Sequence, residues 1–347
     1  MVGSAGGTAV ILRGHSVEWI GTRAGADRSE VHAASASGAL TGMLTEPAAA
    51  GAVPGVIQDS RWLPYDVLAD GAVHRLPEHF IPVGVNDAGQ VAGLWWNERE
   101  GTRGAIWQAG KPVVVMQLGP DDPYPPFFPT AINNLGEVVG SLEHSSLAAV
   151  WSGGRLRELN FEAQVEGSGI HRRGVSMNDR GEVIGSRNGR PVVWTQNRVV
   201  ELPLPPGATW GQARAINNLG QVVGSATVEE RVPDRGPVMQ AVLWENGAVR
   251  VLRPPRRAFD CTAHAINDAG AVLGACRMHP PGAPDGEDAV PFEVFLVWEN
   301  GVARPLCTAF GPGSPNLDPR ACDPASYAGT LREPGPGMTP VPDPPRR

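Results

Sequence analysis

Apolar residues along this chain come in short stretches, many of them apolar at consecutive positions, as in Val138-Val139 and Val222-Val223. Consecutive β-branched residues between polar turn signals predict strands buried on both faces. The polar stretches between them are rich in Gly, Asn, Asp and Pro, the residues of tight turns. No apolar run approaches the ~20 residues of a membrane-spanning helix.

The strand–turn–strand pattern is repetitive. One phrase reads GVNDAGQVAGL (84–94), AINNLGEVVGS (131–141), SMNDRGEVIGS (176–186), AINNLGQVVGS (215–225) and AINDAGAVLGA (265–275). Its asparagines, 86, 133, 178, 217 and 267, are 47, 45, 39 and 50 residues apart. A worn copy, ASASGALTGM (34–43), has Ser35 at the Asn position, and a weaker trace, CDPASYAGT (322–330), is one residue short. Asn opens the turn by bonding its own backbone two residues on. Gly at the fourth position supplies the positive φ that ends a type I turn with a bulge. Each copy is therefore a predicted hairpin.

A second phrase alternates with the first: AIWQAGKPVVV (105–115), AVWSGGRLREL (149–159), VVWTQNRVVEL (192–202), VLWENGAVRVL (242–252) and LVWENGVARPL (296–306). Two worn copies, AVILRGHSVEW (9–19) and DVLADGAVHRL (66–76), carry Leu at the Trp position. Asn-Gly and Gly-Gly turns predict hairpins here too. Two alternating hairpins give four antiparallel strands per ~45 residues, the period of a β-propeller blade. The prediction is one all-β propeller domain over residues 1–331 with seven blades, six or eight being alternatives and an open solenoid the competitor. Pairing of the N- and C-terminal hairpins would close the ring and leave no sheet edge exposed. Residues 332–347, REPGPGMTPVPDPPRR, read as a disordered Pro-rich tail.

The alternation resembles the bacterial HAF-repeat family, a predicted extracellular repeat family, over residues 9–330. The INxxGxVVG element carries the likeness; the His-Ala-Phe of the family's name is reduced to the Phe of VFLVW (294–298). The resemblance implies a propeller-like, surface-associated or exported protein and no catalytic motif. No signal peptide is visible at the start.

Composition narrows the function classes. The net charge of −7 argues against a nucleic-acid groove. Lys111 is the only lysine, a bias read as coding composition. There is no GxSxG elbow, no P-loop, no HExxH and no Cys-x-x-Cys, and the eight histidines are scattered. Turn geometry accounts for the Asn-Asp-x-Gly sequences without calcium. No cofactor and no metal are expected.

The two kinds of tight turn occupy alternate connections, so they should share one face. Long insertions should collect on the other, where binding residues usually sit. Trp62, Tyr65, Asp121, Asp122, Tyr124, Phe127, Phe128, His171, Arg172, Arg173, Arg256 and Arg257 are the ligand-binding candidates there. The expectation is a monomeric, non-catalytic module for a protein, peptide or glycan. The alternatives are a lyase or hydrolase with its site at the mouth of the central channel, and a purely structural scaffold. Cys261, Cys276, Cys307 and Cys322 fall in the last quarter of the chain. At least one disulfide is expected, which favours an extracytoplasmic location. A plain four-residue turn would set Cys261 opposite Cys276, whereas a glycine bulge would place them on opposite faces.

Overall fold

The computed structural model describes residues 2–5, 8–13, 16–19, 29–45, 62–67, 73–98, 101–116, 127–143, 145, 147–163, 175–228, 237–255, 258–278 and 292–305. All regular structure among them is antiparallel strand. A three-stranded sheet holds β1 (Val2–Ala5), β2 (Thr8–Arg13) and β3 (Ser16–Trp19). The next holds β4 (Ser29–Ala34), β5 (Leu40–Thr45), β6 (Trp62–Val67) and β7 (Val73–Arg75). It is followed by β8 (Phe80–Val85), β9 (Gln90–Asn97), β10 (Gly101–Gln108) and β11 (Val114–Val115). An eight-stranded sheet contains β12 (Phe127–Ile132), β13 (Val138–Leu142), β14 (Leu147–Ser152) and β15 (Arg155–Glu162). It continues with β16 (Ser176–Met177), β17 (Val183–Arg187), β18 (Arg190–Thr195) and β19 (Arg198–Glu201). Among the described residues the one strand pairing between the two halves of that sheet is Glu162–Ser186. Two further four-stranded sheets follow: β20 (Ala208–Ile216), β21 (Val222–Val228), β22 (Val238–Glu245) and β23 (Ala248–Val251), then β24 (Ala258–Ile266), β25 (Val272–Met278), β26 (Phe292–Glu299) and β27 (Val302–Pro305).

The turns form as the sequence predicts. Gly89, Gly136, Gly181, Gly220 and Gly270 have φ of 69° to 82°, and each donates its N–H to the carbonyl of the Asn three residues before. In the second hairpin Asn246-Gly247 and Asn300-Gly301 both have positive φ, the type I′ geometry that matches strand twist. Within each four-strand unit the strands follow chain order, so the two kinds of turn leave the same side. The long connections all depart from the opposite side.

The core lies between successive units. Val223, Ala241 and Leu243 pack with Cys261, Val272, Leu296 and Trp298 of the next sheet. Phe161 and Val150 pack with Val175, Val183 and Val192 in the same way. A strand covered on both sides must be apolar on both, hence the Val-Val pairs. The indole N–H groups of Trp244 and Trp298 donate to the carbonyls of Pro203 (2.7 Å) and Arg253 (2.8 Å) in the connections leading into their sheets.

The second glycine of the Asn phrase has a separate cause. A Cβ on Gly224 would collide with the carbonyl oxygen of Gln212, and one on Gly274 with that of Thr262. On Gly185 it would meet the ring of Phe161. At Gly224 and Gly274 the first and second strands approach too closely for any side chain, and at Gly185 the last strand of the preceding unit does.

Five of the six described first strands, β4, β8, β12, β20 and β24, also carry a bulge. The register slips between Val31 and Ala33, Pro82 and Gly84, Pro129 and Ala131, Ala213 and Ala215, and Ala263 and Ala265. The extra residues are His32, Val83, Thr130, Arg214 and His264. This slip decides the cysteine pairing: the glycine turn moves the register by one, the bulge at His264 moves it back, and Cys261 faces Cys276. They form a buried disulfide with Cα atoms 4.1 Å apart. Cys307 and Cys322 lie outside the described residues.

Candidate functional site

The turns of the Asn phrase from six units converge on one cavity of about 440 Å³. Its wall is apolar, with Val85, Ile132, Met177, Ile216 and Ile266 from successive first strands, and its rim is built of Asn and Asp.

Four of the five phrase asparagines use the whole amide. In Asn178 the Oδ1 accepts from the N–H groups of Arg180 (3.1 Å) and Glu182 (3.0 Å). Its Nδ2 donates to Glu182 Oε2 (2.7 Å) and to the backbone carbonyl of Asn217 in the next unit (3.0 Å). Asn86, Asn133 and Asn217 repeat the arrangement, donating to the carbonyls of Asn133 (3.0 Å), Asn178 (3.2 Å) and Asn267 (2.9 Å). Four buried side chains thus form a relay from unit to unit. Three of the four bonds stay within the asparagine's own turn, and the fourth crosses to the next unit.

A second relay runs on the solvent side through the following residues, which alternate Asp87, Asn134, Asp179, Asn218, Asp268. The amide of Asn134 donates to Asp87 Oδ2 (2.9 Å) and Asp179 Oδ2 (3.0 Å), and that of Asn218 to Asp179 Oδ2 (2.8 Å) and Asp268 Oδ2 (3.1 Å). The backbone N–H of each of Asp87, Asn134, Asp179 and Asn218 donates to the side-chain Oδ1 of the next member, at 2.7 to 2.8 Å. Alternation is required because an ionised carboxylate only accepts, while an amide both donates and accepts. Burial acts to raise the Asp87 pKa, but bonds from the Ser37 backbone, the Ser35 and Ser37 hydroxyls and the Asn134 amide outweigh it and hold the group below its usual value. For Glu182, burial is again opposed, by the Asn178 amide, the Arg180 guanidinium and the Thr195 hydroxyl, and the net shift is downward.

Below the rim, the bulge places His32, Thr130, Arg214 and His264 at equivalent positions in four first strands. His32 Nδ1 bonds the carbonyl of Pro82 (2.7 Å) and Thr130 Oγ1 that of Val175 (2.7 Å), each in the next unit. Among the described residues no group of three or more His, Cys, Asp or Glu is arranged to hold a metal ion, and no helix is long and apolar enough to cross a membrane.

The residues anticipated for the loop-rich side fare differently. Trp62 and Tyr65 are in strand β6 and not in a long connection. Phe127 is a core residue, 2% exposed, packed with Val138, Leu142 and Ala149, which takes it off the rim. Phe128, half-buried, lies beside it in β12. Asp121, Asp122, Tyr124, His171, Arg172, Arg173, Arg256 and Arg257 lie outside the described residues. Both relays were missed by sequence reasoning. The Asn/Asp alternation at positions 87, 134, 179, 218 and 268 was the available signal.

No protein-family model matches the chain, and no curated protein matches it. The HAF-repeat resemblance therefore stands on the repeat phrases alone. Among solved structures the chain is similar to the β-propeller domain of the trilobed protease from Pyrococcus furiosus, at 11% identity and a TM-score of 0.48, covering 81% of this chain and 83% of that one. It is similar to virginiamycin B lyase from Staphylococcus aureus at 11% identity and a TM-score of 0.42, over 77% and 90% of the two chains. It is also similar to the acylaminoacyl peptidase of Pyrococcus horikoshii, at 10% identity and a TM-score of 0.40, over 80% of this chain and 52% of that one.

Proposed function

We propose that this chain is a closed, seven-bladed β-propeller acting as a non-catalytic binding module for a protein, peptide or glycan. The supporting observation is the division of labour between its two sides. Two hydrogen-bond relays fix the units on the tight-turn side, and every long connection departs from the other, free to vary without disturbing the frame.

Seven blades follow from counting the two halves of the eight-stranded sheet separately and the three-stranded sheet as one incomplete blade. Val2↔Ile11, Gly3↔Val10 and Ser4↔Ala9 reproduce the register Val223↔Leu243, Gly224↔Val242 and Ser225↔Ala241. β1 is thus a second strand, and the place beside it awaits a first strand, which residues 306–331 would supply. The ligand side would use Trp62, Tyr65, Asp121, Asp122, Tyr124, Phe128, His171, Arg172, Arg173, Arg256 and Arg257.

A second reading, a lyase or hydrolase at the channel mouth, draws on the equivalent placement of His32, Arg214 and His264. Peptide and glycan arrays, with mass analysis of whatever is retained, separate the two. The binding reading expects ligand recovered unchanged and binding lost in Arg172→Ala/Arg173→Ala and Arg256→Ala/Arg257→Ala. Turnover of the ligand, or retention indifferent to both pairs, contradicts it.

A further inference from the structure

A second cavity, of about 730 Å³, lies on the outer flank between β15 and the β17–β19 strands, away from the axial cavity. Arg157, Arg187 and Arg198 line it against a single acid, Glu158, a local excess of positive charge on a chain of net charge −7.

The repeat is altered at this point. Trp244 and Trp298 are buried, with their indole N–H groups satisfied by backbone carbonyls. The equivalent Trp194, half-buried as Trp107 and Trp151 are, carries the guanidinium of Arg157 over its ring, 4.4 Å from the centroid. The turn after it is Gln196-Asn197, with φ of 47° and 61°, where other copies place glycine second. Positive φ without glycine is unfavourable, and here it directs the Asn197 Oδ1 to accept a 3.1 Å bond from Arg157 Nη1. Stacking covers one face of the guanidinium, Asn197 fixes its rotation, and its other N–H groups stay available as a planar fork suited to a carboxylate. Arg187 is engaged by Glu201 at 3.2 Å, whereas Arg157 and Arg198 bond only the neutral amides of Asn197 and Gln196 (3.4 Å) among the described residues and keep their charge for a ligand. On the cavity's other side, β19 pairs with β18 alone among the described residues, leaving one edge to receive an extended chain.

We propose that this flank cavity binds an extended acidic peptide, one carboxylate meeting Arg157 edge-on and the backbone adding to β19. Residues two apart on a strand fall on one face, so alternating acidic side chains would meet Arg157 and Arg198 in turn. The site depends neither on ring closure nor on the loop-side residues.

The test is fluorescence anisotropy of a labelled ten-residue peptide of alternating Val and Glu, in low salt, with the full chain. Saturable binding is expected, weakened at least about tenfold by Arg157→Gln or Arg198→Gln, less by Arg157→Lys, and unchanged by Arg190→Gln, a neighbouring arginine outside the cavity. The Val–Gln peptide should not bind. Melting temperatures within about 2 °C of the parent would show that the variants are folded. No saturation with the acidic peptide, equal binding of the Val–Gln peptide, or losses shared by Arg190→Gln overturns the proposal. Equal affinity for an oligoglucuronate at the same arginines overturns the peptide assignment, because the strand edge would then contribute nothing.

Discussion

The side-chain amide of Asn178 donates to the backbone carbonyl of Asn217, 3.0 Å away in the next unit and 39 residues on in sequence. Asn217 does the same to Asn267 at 2.9 Å, whereas Asn267 is itself exposed. A residue type chosen to turn the chain also ties one sheet to the next.

Removing that tie should be expensive only where it is buried. Asn178→Ala leaves the N–H groups of Arg180 and Glu182 without their acceptor and removes one of the two bonds to the Asn217 carbonyl, which keeps that from Gly220, an expected loss of about 3 kcal/mol. Asn267→Ala removes an exposed bond to Ala271 and should cost under about 1 kcal/mol. Urea unfolding of the two variants gives the comparison.

A glycine from each of the two phrases should respond for a different reason. Gly224→Ala forces a methyl against the Gln212 carbonyl, with an expected cost above about 3 kcal/mol. Gly247→Ala, at φ 76° with open space around it, should cost about 1 kcal/mol through backbone strain alone. The same denaturation assay measures both.

Acid should weaken the fold through Asp87 and Glu182. Both have folded pKa values below their ordinary 3.8 and 4.5, so their stabilisation is complete above the ordinary values and is lost as pH falls through the folded ones. Unfolding free energy measured from pH 7 to pH 3 should decline below about pH 4.5. Asp87→Asn should flatten part of that decline.

The Cys261–Cys276 disulfide closes a loop with a sequence separation of 15, worth about 3 kcal/mol. Cys261→Ala/Cys276→Ala should lower the melting temperature, and reductant should then have no effect through this pair. An unchanged melting temperature would refute the bridge.

Much of this architecture was legible because the repeat is written in local physics. Asn, the fourth-position glycine and the Val-Val pairs each have a cause within a few residues, and the turns have the expected φ. The rest depends on where a neighbouring sheet places its atoms. Nothing near Asn178 in sequence indicates that a carbonyl will wait 39 residues on. The bulge at His264 has no turn residue to mark it, so the register of Cys261 and Cys276 stayed open. Phe127, beside prolines, read as a rim aromatic because short-range composition does not distinguish a loop end from a strand start.

The relay is tested most directly by hydrogen exchange of asparagine side-chain amides, followed by NMR and assigned by substitution. Slow exchange is predicted for the Nδ2 protons of Asn86, Asn133, Asn178 and Asn217, and fast exchange for those of Asn267. Five asparagines exchanging alike at the rate of free amides would contradict the relay.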